Sequence, residues 1–401
     1  MKAAPSKFVD KLPVQLPMPR TTSSRTSPPP SPLPPLSRRN PYIAYRKLLT
    51  PQRVRELSTL RSWIPIRDTI WCWAWIVAAW TLVFCYPVWW AVLLAIPVIG
   101  TRYYALFIIG HDGMHRRIFT SARASDWFTD LFLIGPIGMV NRVNSRNHLE
   151  HHQNLANDDD PDLHKHACFN KSNRWEYLLF LTGLSAFVNV YRNLFTRTGE
   201  VDDAGRSAAA DTDAFASGDN RRKHTLRDLA IIFGWQAMLG LGLTMLAGFA
   251  RGGAIHDSIG FILKGWWGYP ALWLAPVYLF TYLPNLIRSF VEHSHPEDDD
   301  KADAHRLCTF LSNPFERLFM SPMNMNYHIG HHLWPSIPYY NLPRTDRELR
   351  AIPLESREGL NWRGTYAAYL WTYFVALPLA ECRNSRHRRR ESPIHLADRP
   401  T

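Results

Sequence analysis

Apolar residues in this chain are gathered into long uncharged blocks rather than spread at surface-helix or strand spacing. Residues 69–86 (TIWCWAWIVAAWTLVFCY) carry no charge, and at about 1.5 Å per residue they are just long enough to cross roughly 30 Å of hydrocarbon. A second block, 88–110, begins straight after Pro87, so the two predict an antiparallel hairpin. Pro97 and Arg102 interrupt that second block. A charge deep in lipid is expensive, whereas one at the interface reaches headgroups, so Arg102 predicts a helix that continues past the membrane. Residues 229–250 and 262–283, with Lys264 at the entrance of the latter, predict a third and a fourth span. Two shorter apolar stretches, 126–140 (broken by Gly135, Pro136 and Gly138) and 175–194, read as segments lying along the interface. The fold expected is an all-α integral membrane protein with four transmembrane helices, the remaining helices forming a cap on the cytoplasmic side.

The polar stretches divide the chain. Residues 1–60 read as a disordered Pro/Ser/Arg-rich tail, 61–350 as the membrane domain with a flexible linker at 196–220, and 351–401 as a C-terminal segment ending in a basic tail. Lys and Arg are dense before residue 69 and after 285 and scarce around 251–264, which predicts cytoplasmic termini. A mean hydropathy of −0.22 averages spans with tails and hides the blocks. The net charge of +12 sits beside the apolar blocks, so the partner expected is an anionic membrane surface and not nucleic acid. Five scattered cysteines without a CxxC exclude an iron–sulfur cluster, a zinc ribbon and a disulfide framework.

Three short boxes carry the candidate chemistry. His328, His331 and His332 (HIGHH) and His148, His151 and His152 (HLEHH) stand at i, i+3, i+4, and His111 and His115 (HDGMH) at i, i+4, spacings that put them on one side of a helix. These eight belong to a total of 17 histidines, and four spans with cytoplasmic termini place all three boxes on one side of the membrane. Eight or nine imidazoles are too many for one metal ion and fit two, so the cap is expected to hold a dinuclear site. His293 in RSFVEHSH is the expected ninth ligand, ahead of His295, Asn324 and Asn326. Asp112, Glu150, Asp160, Asp162 and Glu292 are expected to orient ligand imidazoles through their free N–H groups. Zinc is a possible occupant, although structural zinc prefers thiolates or a closed set of four ligands and hydrolytic zinc fewer histidines; imidazole also suits iron, and two irons can share out the electrons that cleave dioxygen.

The phrases GHDGMH, HLEHHQNLANDDDPDLH and NYHIGHHLWPSIPYYNLP resemble the membrane-bound fatty acid desaturase superfamily over about residues 60–350. That resemblance implies a non-haem diiron enzyme that uses dioxygen to desaturate a lipid acyl chain, or a hydroxylase or ketolase of the same architecture. It implies His111, His115, His148, His151, His152, His328, His331 and His332 as iron ligands, with His293 matching the additional histidine before the last box. Electrons would come from a separate donor of the ferredoxin or cytochrome b5 type. A metal transporter would carry polar ligands within its spans, which these blocks lack.

Overall fold

The computed structural model describes residues 41–155, 160–162, 173–184, 224–253, 258–293 and 307–377. Tail residues 1–40, linker residues 196–220, His295 and the basic C-terminus from 378 lie outside the described residues. The last third of the tail expected to be disordered is folded. Pro41–Leu48 makes a 3₁₀ turn, and α1 (Pro51–Leu57) starts with Thr50, whose hydroxyl accepts from the Arg53 N–H. Tyr42, Leu49 and Leu57 of this segment are buried in the main core.

Four helices are long and apolar enough to cross a membrane, and this is a membrane protein: α2 (Trp63–Cys85), α3 (Trp89–Met114), α7 (Leu226–Ala250) and α8 (Ile259–His293). Each of the first three begins or ends close to its expected apolar block, and α3 and α8 run well past theirs. Those extensions matter because they carry His111 and His293 beyond the apolar stretch. Pro97 lies inside α3, and the Thr101 hydroxyl one turn on donates to the Pro97 carbonyl at 2.7 Å. At Gly100 α3 and α8 approach so closely that a Cβ would come within 2.5 Å of both Phe280 Cβ and the Pro276 carbonyl. Helix α8 meets that crossing with wide π turns at Pro270–Leu274 and Tyr278–Tyr282.

Aromatic rings tie the four spans together. Trp73 of α2 stacks on Trp235 of α7 (5.8 Å) and Trp273 of α8 (6.3 Å), and Trp273 meets Tyr103 of α3 edge-on at 4.8 Å. The indole N–H of Trp73 donates to the Phe132 carbonyl and that of Trp80 to the Leu272 carbonyl, so the cluster leaves neither donor unmet. Trp71, Leu93, Leu94, Phe233, Leu241, Ile262 and Leu263 point outward and exposed, as lipid-facing sides of spans must.

The stretch expected to lie along the interface is packed protein. Helix α4 (Ala122–Phe128) runs on through a wide turn, Thr129–Ile134, to a 3₁₀ turn, Gly135–Ile137, and buries Thr129, Asp130, Leu133 and Ile134. Tyr103 donates its hydroxyl to the Leu133 carbonyl at 2.6 Å, and Asp130 accepts from the Asn141 N–H and from Arg227. The remaining elements are α5 (Asn141–Asn154), α6 (Arg174–Leu181), α9 (Pro314–Phe319), α10 (His328–Leu333), α11 (Leu342–Ala351) and α12 (Tyr366–Ala376). Two short strands are new relative to the all-α expectation. β1 (Cys308–Phe310) pairs in parallel with β2 (Asn361–Arg363), Cys308 opposite Asn361, and so clasps the chain on either side of α10. Helix α12 is apolar and follows residues that read as polar; its Tyr366, Tyr369 and Tyr373 pack with Tyr177, Phe180, Phe290 and Phe310 in a second core.

Candidate metal centre

Three helices and one helix end deliver the histidines. The last turn of α3 presents His111, and His115 caps it, while Gly113 between them lies so near α4 that a Cβ would stand 2.0 Å from Thr129 Oγ1. Helix α5 carries His148, His151 and His152, the end of α8 carries His293, and α10 carries His328, His331 and His332. Helix α10 is short, and its start is pinned by the Ile329 N–H donating to Thr309 Oγ1 of β1 at 3.1 Å. The chain beyond it is held to α3 by the Tyr339 N–H donating to Asp112 at 2.7 Å.

All nine histidines converge, but they do so as two groups. His111, His115, His148, His152 and His331 bring one ring nitrogen each within 4.8 Å of one another, and so do His151, His293 and His332. His328 joins the second group, with Nε2 2.9 Å from His293 Nε2 and its ring 4.4 Å from that of His332. The spacing puts the histidines of each box on one side of a helix, and the structure divides each three-histidine box between the two groups. On a helix with about 100° per residue, i and i+4 lie ~40° apart, but i+3 and i+4 lie ~100° apart. So His148 and His152 go to the first group and His151 to the second, while His328 and His332 go to the second and His331 to the first.

The donor atoms fit a metal better than they fit one another. Nε2 of His148 lies 2.9 Å from that of His115 and 3.0 Å from that of His152, which in turn lies 3.0 Å from that of His331. A ring nitrogen has either one lone pair or one N–H, so such a series cannot be satisfied as hydrogen bonds. Nitrogens set at right angles about 2.1 Å from an ion stand ~3.0 Å apart, the spacing found here. His332 is buried, and neither of its ring nitrogens has a hydrogen-bond partner among the described residues. A buried imidazole left so is costly unless something else takes its lone pair. Burial, reinforced by neighbouring imidazoles, holds His152, His331 and His332 well below the usual imidazole range, and burial brings His115 down to about 3. They are neutral at physiological pH, the state a metal needs.

Of the carboxylates, two sit beside these rings. Asp160 is buried and takes His151 Nδ1 at 2.9 Å, which leaves Nε2 of that ring to face its group. Glu292 lies 3.3 Å from His328 Nδ1. Glu150 pairs with Arg146 at the surface, Asp112 accepts from the Tyr339 N–H, and the Asp162 backbone N–H donates to Asp160. Asn324 and Asn326 each donate the side-chain amide to a backbone carbonyl, of Tyr339 and Phe310 respectively. Tyr366, whose hydroxyl donates to Glu292 at 2.6 Å, escaped the sequence reading. Its signal was the aromatic run YAAYLWTYF after the last box.

The fatty acid desaturase family model matches residues 87–364. No curated protein matches the chain. The family uses iron, and each histidine group could bind a metal ion. The matched stretch runs from the turn before α3 through β2, takes in every histidine of both groups and most of the chain, and so the chain belongs to the fatty acid desaturase family.

Proposed function

We propose that the chain is an oxygen-dependent diiron desaturase that introduces a double bond into the acyl chain of a lipid. The observation that carries the reading is the division of nine buried or half-buried imidazoles into two adjacent groups at the ends of α3 and α8. His111, His115, His148, His152 and His331 would hold one iron, and His151, His293, His328 and His332 the other. Iron, when bound there, supplies the activation of dioxygen. The chain's own residues present neutral nitrogen donors, fix the tautomer of His151 through Asp160, and shut out water by burying the rings. In the overall reaction dioxygen takes four electrons and four protons and becomes two waters; the substrate yields two electrons with its two hydrogens, a separate ferredoxin-type or cytochrome b5-type donor yields the other two electrons, and solvent yields the other two protons.

Positive charge flanking α2 and following α8 favours cytoplasmic termini and a cytoplasmic site. The large exposed side chains along the spans, Trp71, Leu93, Phe233 and Ile262 among them, are apolar, which favours a long apolar substrate arriving from the membrane. Expression in a host with simple lipids, with a competent donor and air, tests the reading by mass spectrometry of total lipids. Acyl chains lighter by two hydrogens, absent in a His331→Ala variant, are expected. A gain of one oxygen would instead identify the hydroxylase or ketolase of the same architecture. Unchanged lipids together with purified protein that retains no iron would overturn both.

A further inference from the structure

Beneath His328 lies a buried polar network that no apolar membrane helix needs for its fold. Arg288 and Glu292, one turn apart on α8, are both buried and joined at 2.6 Å between Nη1 and Oε2. Arg288 is held in place by Tyr104 of α3 (Nε to OH, 3.1 Å) and by Asn285 (3.2 Å), and the Tyr104 hydroxyl donates to the Met320 carbonyl. The other oxygen of Glu292, Oε1, accepts from Tyr366 of α12 at 2.6 Å. The carboxylate is thus gripped on both oxygens by groups from two different elements. The group left facing Oε2, at 3.3 Å, is Nδ1 of His328.

Burying an ion pair rarely adds stability, because desolvating two charges offsets their attraction. A carboxylate aimed at the outer nitrogen of an imidazole does have a use: it takes the Nδ1 proton, fixes the tautomer and turns Nε2 inward. Nε2 of His328 is the atom that lies 2.9 Å from His293 Nε2. Resting on the reading of the histidine groups as a metal centre, we infer that Arg288, Glu292 and Tyr366 are positioning residues for His328. Through Tyr366, α12 becomes part of the second metal site although no histidine lies on it. Asp160 does the same for His151 in that group, so two of its four imidazoles are backed by buried carboxylates.

The full chain, purified with iron, tests this through Tyr366→Phe, which removes one hydroxyl, and Tyr177→Phe as a control. Tyr177 of α6 donates to the Leu370 carbonyl at 3.2 Å, so its variant loosens the docking of α12 without touching Glu292. Iron retention against a chelator and the Mössbauer spectrum are read for each. In Tyr366→Phe, one of the two irons is expected to be held about 10–100-fold more weakly and its spectral component to shift, the range typical for a lost partner of a ligand histidine. Tyr177→Phe is expected to match wild type in both. Equal retention and spectra in Tyr366→Phe and wild type would overturn the inference, and so would equal losses in both variants, which would assign the effect to helix docking. Wild-type protein that binds no iron would overturn the metal centre itself, recognisable because all three proteins would then read zero.

Discussion

Replacing His332 with Leu should make the metal-free protein more stable and the iron-loaded protein less so. His332 is almost wholly buried and makes no hydrogen bond through either ring nitrogen among the described residues. Its ring lies against other imidazoles, 4.2 Å from His152, 4.4 Å from His328 and 4.8 Å from His293. A buried polar group left unsatisfied costs about 1–3 kcal/mol. A leucine of similar size removes that cost and breaks no existing hydrogen bond, at the expense of imperfect packing worth about 1 kcal/mol. A net gain of about 0–2 kcal/mol is expected without metal. Iron reverses the order: a ligand at 100 times its dissociation constant stabilises the folded state by about 2.7 kcal/mol, and the variant forfeits most of this at one site. Unfolding in detergent, followed with and without iron, gives both numbers. A variant less stable than wild type in both conditions would refute the reasoning, because it would make His332 a packing residue rather than a donor waiting for a metal.

Two further outcomes follow from the same geometry. Since burial holds His115 near 3 and His152, His331 and His332 well below the ~6.5 of free imidazole, the unfolded chain binds more protons below neutrality. The stability of the metal-free protein is therefore complete above pH ~6.5 and falls as pH drops from there towards 3, by up to ~1.4 kcal/mol per pH unit for each such ring; a flat or rising stability between pH 6.5 and 5 would contradict the burial. Gly113→Ala should cost most of the activity, because its Cβ would stand 2.0 Å from Thr129 Oγ1 and push α4 off the turn between His111 and His115. Adding Thr129→Ala should recover part of that activity, and no recovery would show that the clash is not the cause.

Much of the fold was legible because bilayer physics leaves a coarse mark. Uncharged blocks of the right length announce spans, and the four spans found are those blocks with their ends extended. What the blocks could not reveal is what covers them. Residues 126–140 look interfacial by composition, yet part of the stretch is buried, tied to α3 by the Tyr103 hydroxyl at the Leu133 carbonyl and to α7 by the ion pair of Asp130 with Arg227, contacts whose partners are distant in sequence. Tyr42, Leu49 and Leu57 likewise sit in a stretch whose composition is polar overall, and a few apolar anchors suffice to fold it onto the core.

The histidine boxes show the same limit more sharply. Their residues and their shared destination could be read from spacing, since i, i+3 and i+4 all fall on one half of a helix. Their partition could not, because it depends on two helices facing each other across the space they share. Helix α5 gives its i, i+4 pair to the first group and its i+3 residue to the second, while α10 does the reverse. Each of these helices therefore supplies both groups, and neither group can be displaced without moving the other. A single helix holding two histidine sets in fixed relation does what no loop-borne ligand set does: it makes the separation of the two groups a property of the backbone pitch. His151 and His152, adjacent in sequence with rings 5.8 Å apart, and His331 and His332, with rings 5.6 Å apart, are the two rungs that set it.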